Sequence, residues 1–358
     1  GSLPETPDCV KADPNHEPDP WSWAPEDETA LRVARMPSRL KQYYRKGNVK
    51  GCLKVLAEGV LGTLDPAELE PGRQARAVPA VEARLREVLG QRVLARGVVG
   101  ARLQTWLGRV ADAAVRMQRD TPLNDDDIAF IRYGPSDPLE LVKALIDHKQ
   151  PRWLMGWRDI TNATNERTVV ASVFPRVGVG HTLPIMFPAE VDGLFPVLVA
   201  QLSSLTLDYV SRQKLAGTHL TYFYLQQLPV LTPKAFGKAD IAYIKNRVLE
   251  LTYTSYSMRP WAEALGYTGE PFAFDPDRRA QLRADLDAFF AQKYGVCRDE
   301  LRYILDPADT HGSAYPSETF RGLKRNEMER YGEYRTGQLV LAAWDRLEAG
   351  GEFGELGL

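Results

Sequence analysis

The stretch TVVASVFPRVGVGHTLPIMF, residues 168–187, decides the fold class. Its opening run is rich in valine and threonine and closes on Phe174, and Leu183, Ile185, Met186 and Phe187 form a second apolar run. Short β-branched or apolar runs bounded by Gly and Pro predict strands, here at 168–174 and 183–187. Between them, Pro175-Arg176-Val177-Gly178-Val179-Gly180-His181 reads as a loop whose glycines let backbone approach a second molecule closely. Most of the chain around this stretch reads as helix.

Toward the N-terminus, helical patterning runs with breaks from about 28 to 120. Leu103, Trp106, Leu107, Val110, Ala114 and Met117 follow the i, i+3, i+4, i+7 spacing of one buried face. Arg102, Arg109 and Arg116 recur every seven residues and share a second stripe. Eight Arg stand against Glu82, Glu87 and Asp112 over residues 82–119. That stripe is either the solvated face of a bundle helix or a face that contacts phosphates. Residues 1–27, with Pro14, Pro18, Pro20 and Pro25, form an extended Pro-rich arm that Trp21 and Trp23 can pin. Residues 120–138 are rich in turn formers, and a helix at 138–149 follows the cap candidate Asp137.

Toward the C-terminus, the patterning predicts an apolar helix at 191–213 that ends near Gly217, then a strand at 220–225 and Pro-rich turns at 228–233. Helices are expected at 238–256, 278–293 and 325–348. The fold class is therefore α+β: a helical N-terminal region (28–150), a central mixed α/β core (151–235) and a helical C-terminal region (236–358).

With 358 residues the chain is long enough for two packed domains. Lys and Arg total 45 against 47 Asp and Glu, a formal net charge of −2. That balance argues mildly against nucleic-acid binding, although a groove needs only local basicity. No apolar run approaches the roughly 20 residues of a membrane span. Cys9, Cys52 and Cys297 are odd in number and far apart, so neither a disulfide framework nor a zinc site is expected, and a cytoplasmic location is. The start Gly1-Ser2-Leu3, without an initiator Met, reads as the scar of a cleaved tag on a piece of a longer protein.

Catalytic motifs are missing from the sequence. It holds no Gly-rich S-adenosylmethionine loop, no Asn/Asp-Pro-Pro-Tyr/Phe motif for a flipped amino base, no phosphate loop and no Gly-x-Ser-x-Gly elbow. His16, His148, His181, His219 and His311 stand alone, without metal-ligand spacing. Asp137 with Asp147-His148-Lys149 loosely copies an endonuclease metal site. That chemistry needs its second acid and Lys on a strand, however, and these fall at the end of a predicted helix.

The polar residues that suit a nucleic acid lie between 151 and 234, where seven basic residues face five acidic ones. The candidate DNA-binding set is Arg158, Arg167, Arg176, His181, Arg212, Gln213, Lys214, Thr218, His219 and Tyr222, with Arg102, Arg109 and Arg116 as phosphate contacts. Arg and Lys suit guanine edges or phosphates, and Gln suits adenine. Structural ion pairs are the competing reading, above all Asp208 with Arg212 one helical turn on. Trp153, Trp157, Tyr209 and Leu220 are expected in the core.

An ordered series runs through residues 150–348: Trp157-Arg158-Asp159-Ile160-Thr161, Glu166-Arg167-Thr168, Pro175-Arg176-Val177-Gly178-Val179-Gly180, Leu207-Asp208-Tyr209-Val210-Ser211-Arg212-Gln213-Lys214, Gly217-Thr218-His219-Leu220 and Gln227-Leu228-Pro229-Val230-Leu231. In the tail it continues with Glu300-Leu301-Arg302-Tyr303-Ile304-Leu305-Asp306-Pro307, Glu318-Thr319-Phe320 and Tyr331-Gly332-Glu333-Tyr334-Arg335-Thr336. This series resembles the C-terminal target-recognition (specificity) region of large adenine-N6 DNA methyltransferases. These are the enzymes of single-chain restriction–modification and DISARM-like phage-defence systems of bacteria. The resemblance implies a part that grips double-stranded DNA while a separate domain, which would hold S-adenosylmethionine, flips and methylates adenine. It implies no catalytic residue, cofactor or metal in this chain. The alternative is a protein–protein module that docks another subunit of a defence complex.

Overall fold

The computed structural model describes residues 12–15, 26–34, 36–48, 51, 52, 55, 143, 146, 150–187, 194–315 and 318–350. The predicted helix at 81–119 with Arg102, Arg109 and Arg116, most of the 138–149 helix, and Asp137 and Asp147-His148-Lys149 lie outside the described residues. The chain divides into two compact units, 24–151 and a larger one made of 152–358 with 1–23.

In the first unit, α1 (Glu26–Val33) and α2 (Ser38–Arg45) are two short helices. Leu31, Val33, Ala34 and Leu40 are buried. Glu28 ties the helices together, accepting from Arg32 at 2.7 Å and from Arg45 at 2.6 Å.

The larger unit is α+β. Its sheet has three antiparallel strands in the order β2-β1-β3: β1 (Trp153–Trp157) in the centre, β2 (Ala171–Pro175) on one side and β3 (Ile185–Met186) on the other. The predicted strands at 168–174 and 183–187 appear as β2 and β3, displaced or shortened by a few residues. The central strand has no counterpart in the sequence reading. WLMGW lacks the alternation of a half-exposed strand because it is paired on both edges and buried over four of its five residues. The 176–184 loop carries the chain from one side of β1 to the other, with Trp157 N–H donating to Pro184 O (3.2 Å) and Asp159 N–H to Thr182 O (2.9 Å). The loop therefore lies against this chain's own strand.

Gly156 permits that crossing. A Cβ there would come 2.5 Å from the Pro184 carbonyl oxygen and 3.3 Å from the Phe174 ring. Gly156→Ala is expected to destabilise the unit by about 1–3 kcal/mol, the usual cost of overpacking, because the clash is with backbone that cannot swing aside. A urea titration of the variant checks this. A midpoint matching the unsubstituted protein would show that the crossing loop is not held against β1.

The apolar segment predicted as one helix at 191–213 is two, α3 (Phe195–Leu202) and α4 (Leu205–Lys214). Ser204 separates them. Its hydroxyl accepts from Leu207 N–H at 3.3 Å, and Asp287 accepts from Leu205 N–H at 2.7 Å. Both bonds satisfy N–H groups that a continuous helix would have bonded to its own carbonyls. The predicted strand at 220–225 is instead a single helical turn, α5 (Tyr222–Leu225), with Leu225 N–H closing on Thr221 O at 3.0 Å. Its aromatic residues have high strand propensity, but their backbone hydrogen bonds close within one helical turn instead.

The helical part follows: α6 (Lys238–Thr252), α7 (Arg259–Ala264), α8 (Pro276–Lys293), α9 (Arg298–Leu305), α10 (Pro307–His311), α11 (Arg321–Tyr331) and α12 (Arg335–Glu348). The expected 325–348 helix is broken at Gly332, whose φ of +75° places it in the left-handed region that ends α11. Helix α8 starts behind Asp275, which accepts from Asp277 and Arg278 N–H, and it buries residues on all sides. Phe289 and Phe290 face one apolar cluster with the sheet, α3 and α6; Ala284, Ala288 and Ala291 face a second with α9 and α12. Among the described residues no helix is long and apolar enough to cross a membrane.

Candidate nucleic-acid interface

Past the end of β1 the chain is laced to two distant segments. Arg158 N–H donates to Val170 O at 2.9 Å, Leu220 N–H to Asp159 O at 2.7 Å, and Thr161 N–H to Thr218 O at 2.9 Å. Ile160 and His219 form an isolated antiparallel bridge. Beneath them Trp157, fully buried, donates its indole N–H to Leu220 O at 2.7 Å and meets the Tyr222 ring edge-to-face at 4.7 Å. The Tyr222 hydroxyl donates to Ile185 O at 3.2 Å, which anchors α5 to β3. Backbone bonds and one buried tryptophan thus bring residues about sixty positions apart into contact.

Seven of the ten candidate side chains are exposed: Arg158, His181, Gln213, Lys214, Thr218, His219 and Tyr222. Arg158, Thr218, His219 and Tyr222 lie in or beside the laced segments, whereas Gln213 and Lys214 end α4 just before them. Arg158 and Lys214 form no ion pair among the described residues, so their charge is available to a ligand. His219 Nδ1 lies 2.9 Å from Asp159 Oδ2, which orients the ring while leaving its outer edge in water. Arg176 is half-buried just beyond β2.

Two arginines leave the set. Arg212 is buried, its side chain only 4% exposed, and pairs with Asp208 at 2.8 Å. The rest of its guanidinium donates to the carbonyls of Ala163 (2.7 Å), Thr319 (3.0 Å), Asn165 (2.8 Å) and Glu166 (2.9 Å), and it stacks over the Phe320 ring at 4.6 Å. Asp208 in turn accepts from the N–H groups of Thr168 (2.8 Å) and Val169 (2.6 Å). The pair fastens α4, the 163–169 segment and the 319–320 turn together, and no donor of Arg212 remains for DNA. Arg167 donates to Ser203 O and to Asp287, each at 3.1 Å. It lines a separate cavity. The four-residue spacing of Asp208 and Arg212 made the ion-pair alternative visible in the sequence; burial decides for it.

That cavity, about 400 Å³, is lined by α8, α11, α12 and the 166–167 segment. Arg279, Arg283, Arg330 and Arg335 line it with Arg167, and the sequence reading passed over all four. Their signals were the one-turn spacing of Arg279 and Arg283 in a predicted helix, a pattern that solvated faces also show, and the place of Arg335 in the ordered series of the tail.

Every strand pairing among the described residues is antiparallel. No three His, Cys, Asp or Glu side chains among the described residues gather as metal ligands. Compared with family models, curated proteins and solved structures, the chain matches none.

Proposed function

We propose that this chain is the target-recognition part of a bacterial adenine-N6 DNA methyltransferase of a restriction–modification or phage-defence system, and that it acts in the cytoplasm. It would hold duplex DNA for a methyltransferase domain outside it, which would carry S-adenosylmethionine. The observation that carries the reading is the lacing of residues 158–161 to 218–220. It brings the exposed residues Arg158, Thr218, His219 and Tyr222 into one neighbourhood, and these are residue types that contact phosphates and base edges. The ordered resemblance along residues 150–348 supports it. Neither of the buried or inward-turned arginines, Arg212 and Arg167, takes part.

Fluorescence anisotropy with a labelled duplex over a salt series tests this. Binding should weaken linearly on a logarithmic salt scale. Arg158→Ala and Lys214→Ala should each lower the slope by about one, the share of one released counterion. A duplex that fails to bind even at about 50 mM salt, or slopes unmoved in both variants, would refute the assignment.

A second reading has its own observation. Phe223 is 70% exposed, and Tyr222, Ile160 and Val170 are each more than 40% exposed. An exposed apolar group of this kind marks many protein–protein contacts, here with another defence subunit. Phe223→Ser that abolishes capture of such a subunit, while the duplex salt slope stays unchanged, would favour docking over DNA recognition.

A further inference from the structure

The arginine-lined cavity points to a second binding site, independent of the DNA reading because it lies on other elements. Three carboxylates share the cavity with the five arginines. Each is already engaged: Asp287 accepts from Arg167 and from Leu205 N–H, Glu327 from the N–H and hydroxyl of Thr336, and Glu166 from the Asn326 amide. Arg335 has Asp277 at 2.8 Å. Arg279, Arg283 and Arg330 form no ion pair among the described residues. Arg279 is held by the Leu251 carbonyl at 2.8 Å and by the Phe274 ring, 4.6 Å beneath its guanidinium. Arg283 has one long bond, to the Arg279 carbonyl at 3.4 Å. Arg330 lies 5.4 Å over the Tyr331 ring.

The electrostatics agree with a site short of negative charge. Burial, and then Arg283 beside it, push the Arg279 guanidinium down to about 10. The cavity walls desolvate Arg283, part of whose side chain still reaches water, and with Arg167 they push it below its ordinary value. Like charges held together in a half-enclosed space raise the local positive potential, and an entering anion relieves it. Guanidinium forks match the paired oxygens of a phosphate. A volume of about 400 Å³ lies within the range of small-molecule pockets.

We propose that this cavity binds the phosphate groups of a nucleotide-sized small molecule, with Arg279, Arg283 and Arg330 as the anion-binding residues. A backbone phosphate of DNA offers the same oxygens, but a duplex is a convex rod and this site is a concavity closed on several sides by helices.

The test uses the full chain and three probes at low salt: pyrophosphate, ATP and a labelled DNA duplex. Calorimetric titration and the shift of Tm with ligand are the measurements. Pyrophosphate and ATP should bind and raise Tm. Arg283→Gln, an exposed position with one weak bond to lose, should weaken both by about tenfold or more, the loss of a charge-assisted hydrogen bond. Adding Arg330→Gln should weaken them further, and Lys238→Gln, at an exposed position outside the cavity, should leave them unchanged. The proposal fails if neither probe binds at millimolar concentration, or if Arg283→Gln binds them as well as the unsubstituted protein does. It also fails if only the duplex is affected by Arg283→Gln, an outcome that would assign these arginines to the nucleic-acid backbone.

Discussion

Arg212→Ala is expected to lower the stability of the larger unit by about 3–5 kcal/mol, the cost of leaving a buried partner charge uncompensated. The partner is Asp208, itself only 1% exposed. The substitution also strips the acceptors on Ala163, Asn165, Glu166 and Thr319 of their donor at once. Arg212→Lys should recover little of the loss. One ammonium can replace the bond to Asp208, but it cannot reach carbonyls on both sides as a planar fork does. Asp208→Ala should be comparably damaging, because Thr168 and Val169 N–H then lose their acceptor. The double variant should cost clearly less than the two singles added, since both remove the same network. Urea denaturation of the four proteins measures all of this. If Arg212→Lys were as stable as the unsubstituted protein but bound duplex poorly, Arg212 would be a DNA contact after all.

Trp157→Ala should have the second large effect, about 3–5 kcal/mol, as for other fully buried tryptophans cut to alanine. Its consequence reaches the proposed interface. The indole carries the bond to Leu220 O and one side of the Tyr222 contact, so its loss removes two of the ties between residues 218–222 and the end of β1. Trp157→Phe keeps most of the apolar volume and removes the donor. It should cost less in stability, yet still weaken duplex binding if the laced face reads DNA. Denaturation midpoints together with anisotropy under one set of conditions separate the two effects. A Trp157→Phe protein with an intact midpoint and intact affinity would mean that the indole N–H does not position the face.

The sequence was most legible where structure is local. The C-terminal helices predicted at 238–256 and 278–293 appear at Lys238–Thr252 and Pro276–Lys293, since apolar periodicity and the Asp275 cap are properties of a few neighbouring residues. The β-branched run marked β2 for the same reason. Breaks were harder to see. Ser204 and Gly332 interrupt helices whose apolar pattern runs straight through them, and one of the bonds that splits the first comes from Asp287, far along the chain.

By itself, then, the amino-acid order determined an α+β chain with a short sheet, a helical tail and no recognisable catalytic motif. Tertiary structure decided what each charge does. Arg158 and Arg212 look alike in a sequence, but one faces water and the other lies beneath four carbonyls drawn from two distant segments. Arg279, Arg283 and Arg330 read as ordinary helix-surface arginines until α8 and α11 bring them around one cavity. The physical reason is that a guanidinium's role depends on its depth and on which acceptors surround it, and both are set by segments that meet only when the chain has folded.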